Sequence, residues 1–259
     1  GALLVQTRRE ENDSPKFQGN KTNIVRDDTI NSLKLTNPAT NASGEYEFKD
    51  ILDLGGVFSL DLKRHLLTEG FYVGTLFDSR TALIDSWSDF DGAEATDVNA
   101  ELLVAVTKDA PAGTNYADSD FSNKTFNTFV NGIFEGRGFK FKLKISTNDP
   151  AQNIKVSELG YTATFQRRQE QSSTAIASGG GVKNIAFDKP FFTGTSALLG
   201  ANSNLPSIGI TALDNITSGD YFQVTNISAT GFSVHFKDSS NASINRNFNF
   251  VAVGFGKGV

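Results

Sequence analysis

The chain has 259 residues, 38% of them hydrophobic and 20% charged, which is the composition of a globular protein with length enough for two domains. A net charge of −5 argues against a nucleic-acid partner, which calls for a basic face, and no apolar run approaches the roughly 18 residues of a membrane span. Cysteine is absent, which excludes disulfides, thiolate metal sites and cysteine nucleophiles; methionine is also absent, even at position 1, so a processed product or part of a longer chain is expected. Phenylalanine dominates the aromatics, 22 against 5 Tyr and 1 Trp, in keeping with many short strands joined by Gly- and Asn-rich turns.

Residues 1–28 carry few apolar residues and no periodicity beyond Val5, and read as an extended arm or linker. Residues 29–168 read as a strand-rich sandwich. "GEYEFKDILDLGG", "VFSLDLKRHLL", "FYVGTLF", "NAELLVAVTKD" and "GFKFKLKISTND" alternate apolar and polar positions between turn residues, and no amphipathic helix of ten or more residues competes with them. In "FKFKLKI", Phe139, Phe141, Leu143 and Ile145 share one face while Lys140, Lys142 and Lys144 share the other, read as a solvated outer face that discourages edge pairing, with a basic stripe for an anionic glycan as the alternative.

Residues 169–182, Ser-rich and closing on three glycines, have linker composition and place a domain boundary there. Residues 183–259 read as a second, smaller antiparallel sandwich: "KNIAFDKPFF", "PSIGITALD", then two strands split at Ala229–Gly231. The end of the chain reads as a hairpin, with Phe232, Val234 and Phe236 on one arm and Ile244, Arg246, Phe248 and Phe250 on the other.

Catalytic chemistry finds little support. Two histidines, His65 and His235, make neither a metal cluster nor a triad, and no phosphate loop or nucleophile elbow has its strand-to-helix context, so no enzyme activity and no cofactor are expected. In "DSWSDFDG", Asp85, Asp89 and Asp91 precede a turn glycine as oxygen ligands of a hard cation would, yet Trp87 stands where a first carboxylate belongs; a turn packing Trp87 and Phe90 on the core is the simpler reading. Asn-x-Ser/Thr triplets at Asn12, Asn20, Asn41, Asn123, Asn215, Asn226 and Asn241 are ascribed to chance in a chain so rich in these residues.

The ordered segments "PSIGITALD", "NISATGFSVHF" and "FNFVAVGFG" resemble the carboxy-terminal β-sandwich of phage tail fibre and host-specificity proteins, a domain similar to the H-type lectins. "ILDLGGVFSLDLKRH", "AELLVAVTKD" and "GFKFKLKISTNDPAQNIKVSELGYTATF" resemble the discoidin-like jelly rolls that precede it in tail tip proteins. The resemblance implies an all-β chain, arm, jelly roll and lectin-like sandwich. It further implies a homotrimer located in the virion tail, outside the cell, contacting other tail proteins and a host glycan or outer-membrane receptor, without membrane insertion. Asp214 is the position that maps onto the lectin pocket, followed by His235 and Arg246; the tryptophan often found near the last strand of such lectins is missing. A purely structural trimeric scaffold and a secreted carbohydrate-binding lectin are the alternatives.

Overall fold

The computed structural model describes residues 3–73, 95–195, 204–214 and 216–259. The strands, in chain order, are β1 (Leu3–Arg9), β2 (Asn20–Thr22), β3 (Ile24–Asp27), β4 (Ser32–Leu35), β5 (Ser43–Glu47), β6 (Leu52–Tyr72), β7 (Val98–Thr107), β8 (Asn127–Thr128) and β9 (Gly132–Thr147). They continue with β10 (Gln152–Gln171), β11 (Ile176–Ala177), β12 (Lys183–Ala186), β13 (Ser207–Ala212), β14 (Tyr221–Thr225), β15 (Gly231–Lys237), β16 (Asn247–Phe255) and β17 (Lys257–Gly258). Helix among the described residues is confined to two short 3-10 turns, Glu10–Asn12 and Asp118–Phe121. The chain is therefore all-β, built as antiparallel sandwich layers.

Three long strands form the frame. β6 pairs with β10 along Asp61–Tyr72 and with the first half of β9. Beyond Phe139, β9 leaves β6 and runs between β7 and β5. The alternating sequence of β9 fills the core between the layers: Phe139, Phe141, Leu143 and Ile145 are all buried. Phe141 stacks on Tyr161 of β10 at 4.3 Å, with Phe48 and Phe129 against the same ring at 5.3 and 5.5 Å.

The N-terminal segment departs from the arm expected of residues 1–28. β1 pairs with β10 from Leu3 opposite Gln166 to Arg9 opposite Gly160, so close that a side chain at Gly160 would strike the Arg8 carbonyl. The strand escapes detection because its inward face carries Gln6 and Arg8 beside Leu4, while Leu3 and Val5 face solvent, the reverse of the usual pattern.

The stretch expected to be a linker also differs in part. Arg167–Gln171 belong to β10 and pair with Val251–Phe255 of β16, and Ile176–Ala177 form β11 farther along the same edge of β16, opposite β13. One strand thus serves both hydrophobic cores. The second core, Phe187, Phe191, Phe232, Val234, Phe236, Phe248, Phe250 and Ala252, lies between β11–β16–β13 and the three-stranded sheet β12–β15–β14. β15 and β16 are not a hairpin: they sit in facing sheets joined by one bridge, Lys237 to Ser243. Both carry phenylalanines inward, and as opposed layers they bury these against each other, Phe232 on Phe250 at 5.2 Å and Phe236 on Phe248 at 5.6 Å.

Phe192 ties the two cores. It follows the second core's Phe191 yet lies fully buried in the first core, stacked flat on Phe165 at 3.9 Å with Phe58 edge-on at 6.0 Å. Phe192→Ala is expected to lower stability by about 3–5 kcal/mol, the cost of truncating a buried phenylalanine; urea unfolding measures it, and a loss below about 1 kcal/mol would mean that the contact contributes little.

Candidate functional site

Three polar constellations stand out. The first holds the N-terminal segment. Glu10 is fully buried; its Oε2 accepts from Arg8 Nε at 2.7 Å, and its Oε1 accepts from the Tyr46 hydroxyl at 3.1 Å and the Lys49 N–H at 2.8 Å. Arg8 also grips Asp13 with both terminal nitrogens, at 2.9 and 2.5 Å, and Glu11 accepts the Leu159 N–H of β10. Burial raises the Glu10 carboxyl above its ordinary value despite Arg8, and burial together with Glu10 raises the Tyr46 phenol. Every strong donor here has an acceptor, so the network is an anchor for the chain rather than a site poised for a ligand.

A related polar row crosses three strands on the outer face. His65 Nε2 of β6 lies 2.6 Å from Thr162 Oγ1 of β10, which lies 3.0 Å from Thr7 Oγ1 of β1. Burial, and then the neighbouring Arg9 guanidinium, hold His65 below its usual pKa.

The second constellation contains the residues mapped from the sequence. Asp214 Oδ2 accepts the Asn247 N–H at 2.6 Å, at the mouth of β16. Arg246, the preceding residue, donates from Nη2 to Asp220 Oδ2 at 2.9 Å and from Nη1 to the Asn245 carbonyl at 2.9 Å, while its own N–H is held by Ser178 Oγ. It borders a hollow of about 300 Å³ with Ile216, Tyr221, Phe222 and Phe236. His235 lies on the face of β15 opposite Val234, with Nε2 at 2.7 Å from Ser243 Oγ. The fold brings Asp214 and Arg246 to adjacent positions at the start of β16, and each of the three side chains is engaged within the terminal sandwich. Asp85, Asp89, Asp91, Trp87 and Phe90 lie outside the described residues.

The third constellation was missed in the sequence. A cleft of about 740 Å³ opens on the first sandwich, where the end of β5 and its following turn, the start of β6, and the loop Asn115–Asp118 converge. At its base lies Lys140 of β9, only 8% exposed, with Nζ 2.9 Å from Asp118 and 3.5 Å from Glu47. Of the lysines read as a solvated face, only Lys144 is exposed: Lys140 is buried and Lys142 half-buried, with Lys142 Nζ 4.3 Å above the Phe126 ring and 3.6 Å from Glu45. Asp53 sits where β6 bulges, its Oδ1 accepting from Gly55 N–H at 2.8 Å and Arg137 Nε at 2.9 Å. Gly55 has φ +78°, a left-handed turn that favours glycine and lets the Asp53 side chain close on the backbone.

The cleft loop is folded by Asp120, whose carboxylate accepts the N–H groups of Ala112 and Ala117. Tyr116 packs over Gly138, where even a methyl group would collide with its ring, and meets Phe121 at 5.5 Å; its hydroxyl donates to the Asp109 carbonyl. Burial and then the Asp53 carboxylate push its phenol up to about 12, so it stays neutral at physiological pH. The complementary signal was present in "EYEFK", whose Glu45 and Glu47 stand opposite Lys144 and Lys142 and pair diagonally with Lys142 and Lys140.

Comparison of the chain with protein-family models, curated proteins and solved structures finds no match. The functional reading therefore rests on the chain's own residues.

Two outcomes test these assignments. Glu10→Ala, which strands the Arg8 Nε, the Tyr46 hydroxyl and the Lys49 N–H, is expected to cost about 3–5 kcal/mol in urea unfolding, and Glu10→Gln clearly less because an acceptor oxygen remains. Equal losses would contradict the network. Because His65 has a lowered folded-state pKa, the unfolded chain binds its proton first, and this contribution is lost as pH falls through the unfolded value of about 6.5. Melting temperature should drop between about pH 7.5 and 5.5, with a shallower drop in His65→Gln.

Proposed function

We propose that the chain is a non-enzymatic adhesion protein of a phage tail, a fibre or tip component that works in several copies, a trimer by resemblance, and attaches the virion to a receptor on the host surface. The resemblance of the terminal sequence segments supports this reading, as does the apolar surface that the terminal sandwich leaves exposed among the described residues. Leu213, Ile216, Tyr221 and Phe222 are all between 38% and 54% exposed, and β14 has no partner on its outer edge among the described residues. A module this small gains stability by covering such a surface with further copies, and an unpaired edge invites association unless it is covered.

That uncovered belt is the observation on which the proposal rests. Multiple copies turn individually weak receptor contacts into firm attachment, because each contact after the first forms at high effective concentration. The secreted-lectin and pure-scaffold alternatives predict different behaviour in the same assays.

Sedimentation of the purified chain at micromolar concentration should give a trimer, and Ile216→Glu or Leu213→Glu, both at exposed positions, should shift it to monomer. The labelled wild-type chain should decorate cells of a susceptible bacterial host. A monomeric wild type that binds no bacterial cells would overturn the proposal, and trimers that bind no cells would favour the scaffold.

A further inference from the structure

We propose that the cleft of the first sandwich is a saccharide-binding site that takes neutral, hydroxyl-rich sugars. The inference deepens the adhesion function and rests on it, and it places recognition in the first sandwich rather than at Asp214, His235 and Arg246. The volume of about 740 Å³ falls within the roughly 300–1,000 Å³ of small-ligand sites.

The chemistry of the lining selects the ligand. Asp118 is held by Lys140 at 2.9 Å, and Asp53 by Arg137 at 2.9 Å and the Gly55 N–H at 2.8 Å. Carboxylates fixed in this way are preorganised, and each has about four acceptor positions, more than these contacts use. Pairs of neighbouring sugar hydroxyls are donors that fit such oxygens. Asp50 and Asn115 are exposed, line the same cleft and have no hydrogen-bond partner among the described residues, which leaves a free acceptor and a free amide. The locked ring of Tyr116 supplies an aromatic wall for the C–H surface of a pyranose.

Charge excludes the other classes. Four carboxylates line the cleft, Glu47, Asp50, Asp53 and Asp118, against the ammonium groups of Lys49 and Lys140 and the Arg137 guanidinium held on Asp53, which leaves one negative charge in excess. An acidic glycan or a phosphate would meet net repulsion. A cation is disfavoured because Lys140 and Arg137 already neutralise the fixed carboxylates, and no metal-holding group of side chains assembles among the described residues. An apolar ligand would strip water from the Asp50 carboxylate, unpaired among the described residues, without replacing its hydrogen bonds.

The test is an array of neutral, uronate-bearing and phosphate-bearing bacterial surface oligosaccharides, probed with the full chain beside a cell-adhesion assay. Asp50→Asn and Asn115→Ala alter exposed side chains that hold nothing in the fold; His235→Ala alters the rival position. Neutral members should bind, affinity should fall at least about tenfold in the doubly substituted cleft, and His235→Ala should leave it unchanged. Binding confined to acidic members, or lost with His235→Ala and kept in the cleft variant, would overturn the site. Cell adhesion without any glycan binding would overturn the site while leaving the adhesion function to a protein receptor. Loss of both would remove both.

Discussion

The hydrogen-bond ladder of β10 is the constraint on which the rest of the structure depends. Over Gln152–Thr164 this one strand pairs with β6; from Gly160 to Gln166 its other edge takes β1; and over Arg167–Gln171 it pairs with β16. From Gly160 to Gln171 every residue of β10 has a paired neighbour, so no unpaired segment of this strand separates the two sandwiches. Phe192 reinforces the junction from the side, and the Gly256 N–H donates to the Gln166 carbonyl where the two sheets meet. The position of the cleft relative to the terminal sandwich is consequently a property of the fold, which matters for a protein proposed to present a receptor site from a multi-copy assembly.

The buried ionic network around Glu10 complements the ladder. It makes an expensive use of polar groups, since removing Arg8, Glu10 and Asp13 from water costs several kcal/mol per ion before their mutual attraction returns it. An apolar strand would have anchored the N-terminal segment as firmly. What the charged version adds is position: Glu10 reaches Tyr46 of β5 and Lys49 just beyond it, while Glu11 accepts the Leu159 N–H of β10, so the segment after β1 is fixed to both strands. The same economy operates in the cleft, where Lys140 is buried between two carboxylates and so fixes the loop that carries Asp118.

Alternation made much of the fold legible. Phe139 to Ile145 and Phe232 to Phe236 point inward as their spacing requires, and the two-core arrangement follows from where the apolar strands cluster. Three features escaped because they depend on contacts distant in sequence. β1 hides polar residues and exposes apolar ones, so its strand character is visible only beside β10. The serine- and glutamine-rich run after Gln166 has a linker's composition, yet its backbone amides satisfy β16 regardless of side chain. Alternating phenylalanines in β15 and β16 fit a hairpin as well as facing layers, since periodicity reports which side is buried and not which neighbour covers it. In the candidate site, Asp53 stood in a recognisable turn, whereas Asn115, Tyr116 and Asp118 come from a loop without periodicity and acquire meaning only through Gly138 and Lys140 behind them.

The central claim is that β10 stays paired from the first core into the second, passing from β6 and β1 to β16 without an unpaired segment. Native-state hydrogen exchange read at single amides tests it most directly. The account predicts that the ladder amides within Arg167–Gln171 exchange with protection of the same order as those of Tyr161–Phe165, through the same cooperative opening. Exchange at the unprotected rate of a solvated linker, with the two cores opening independently, would contradict it.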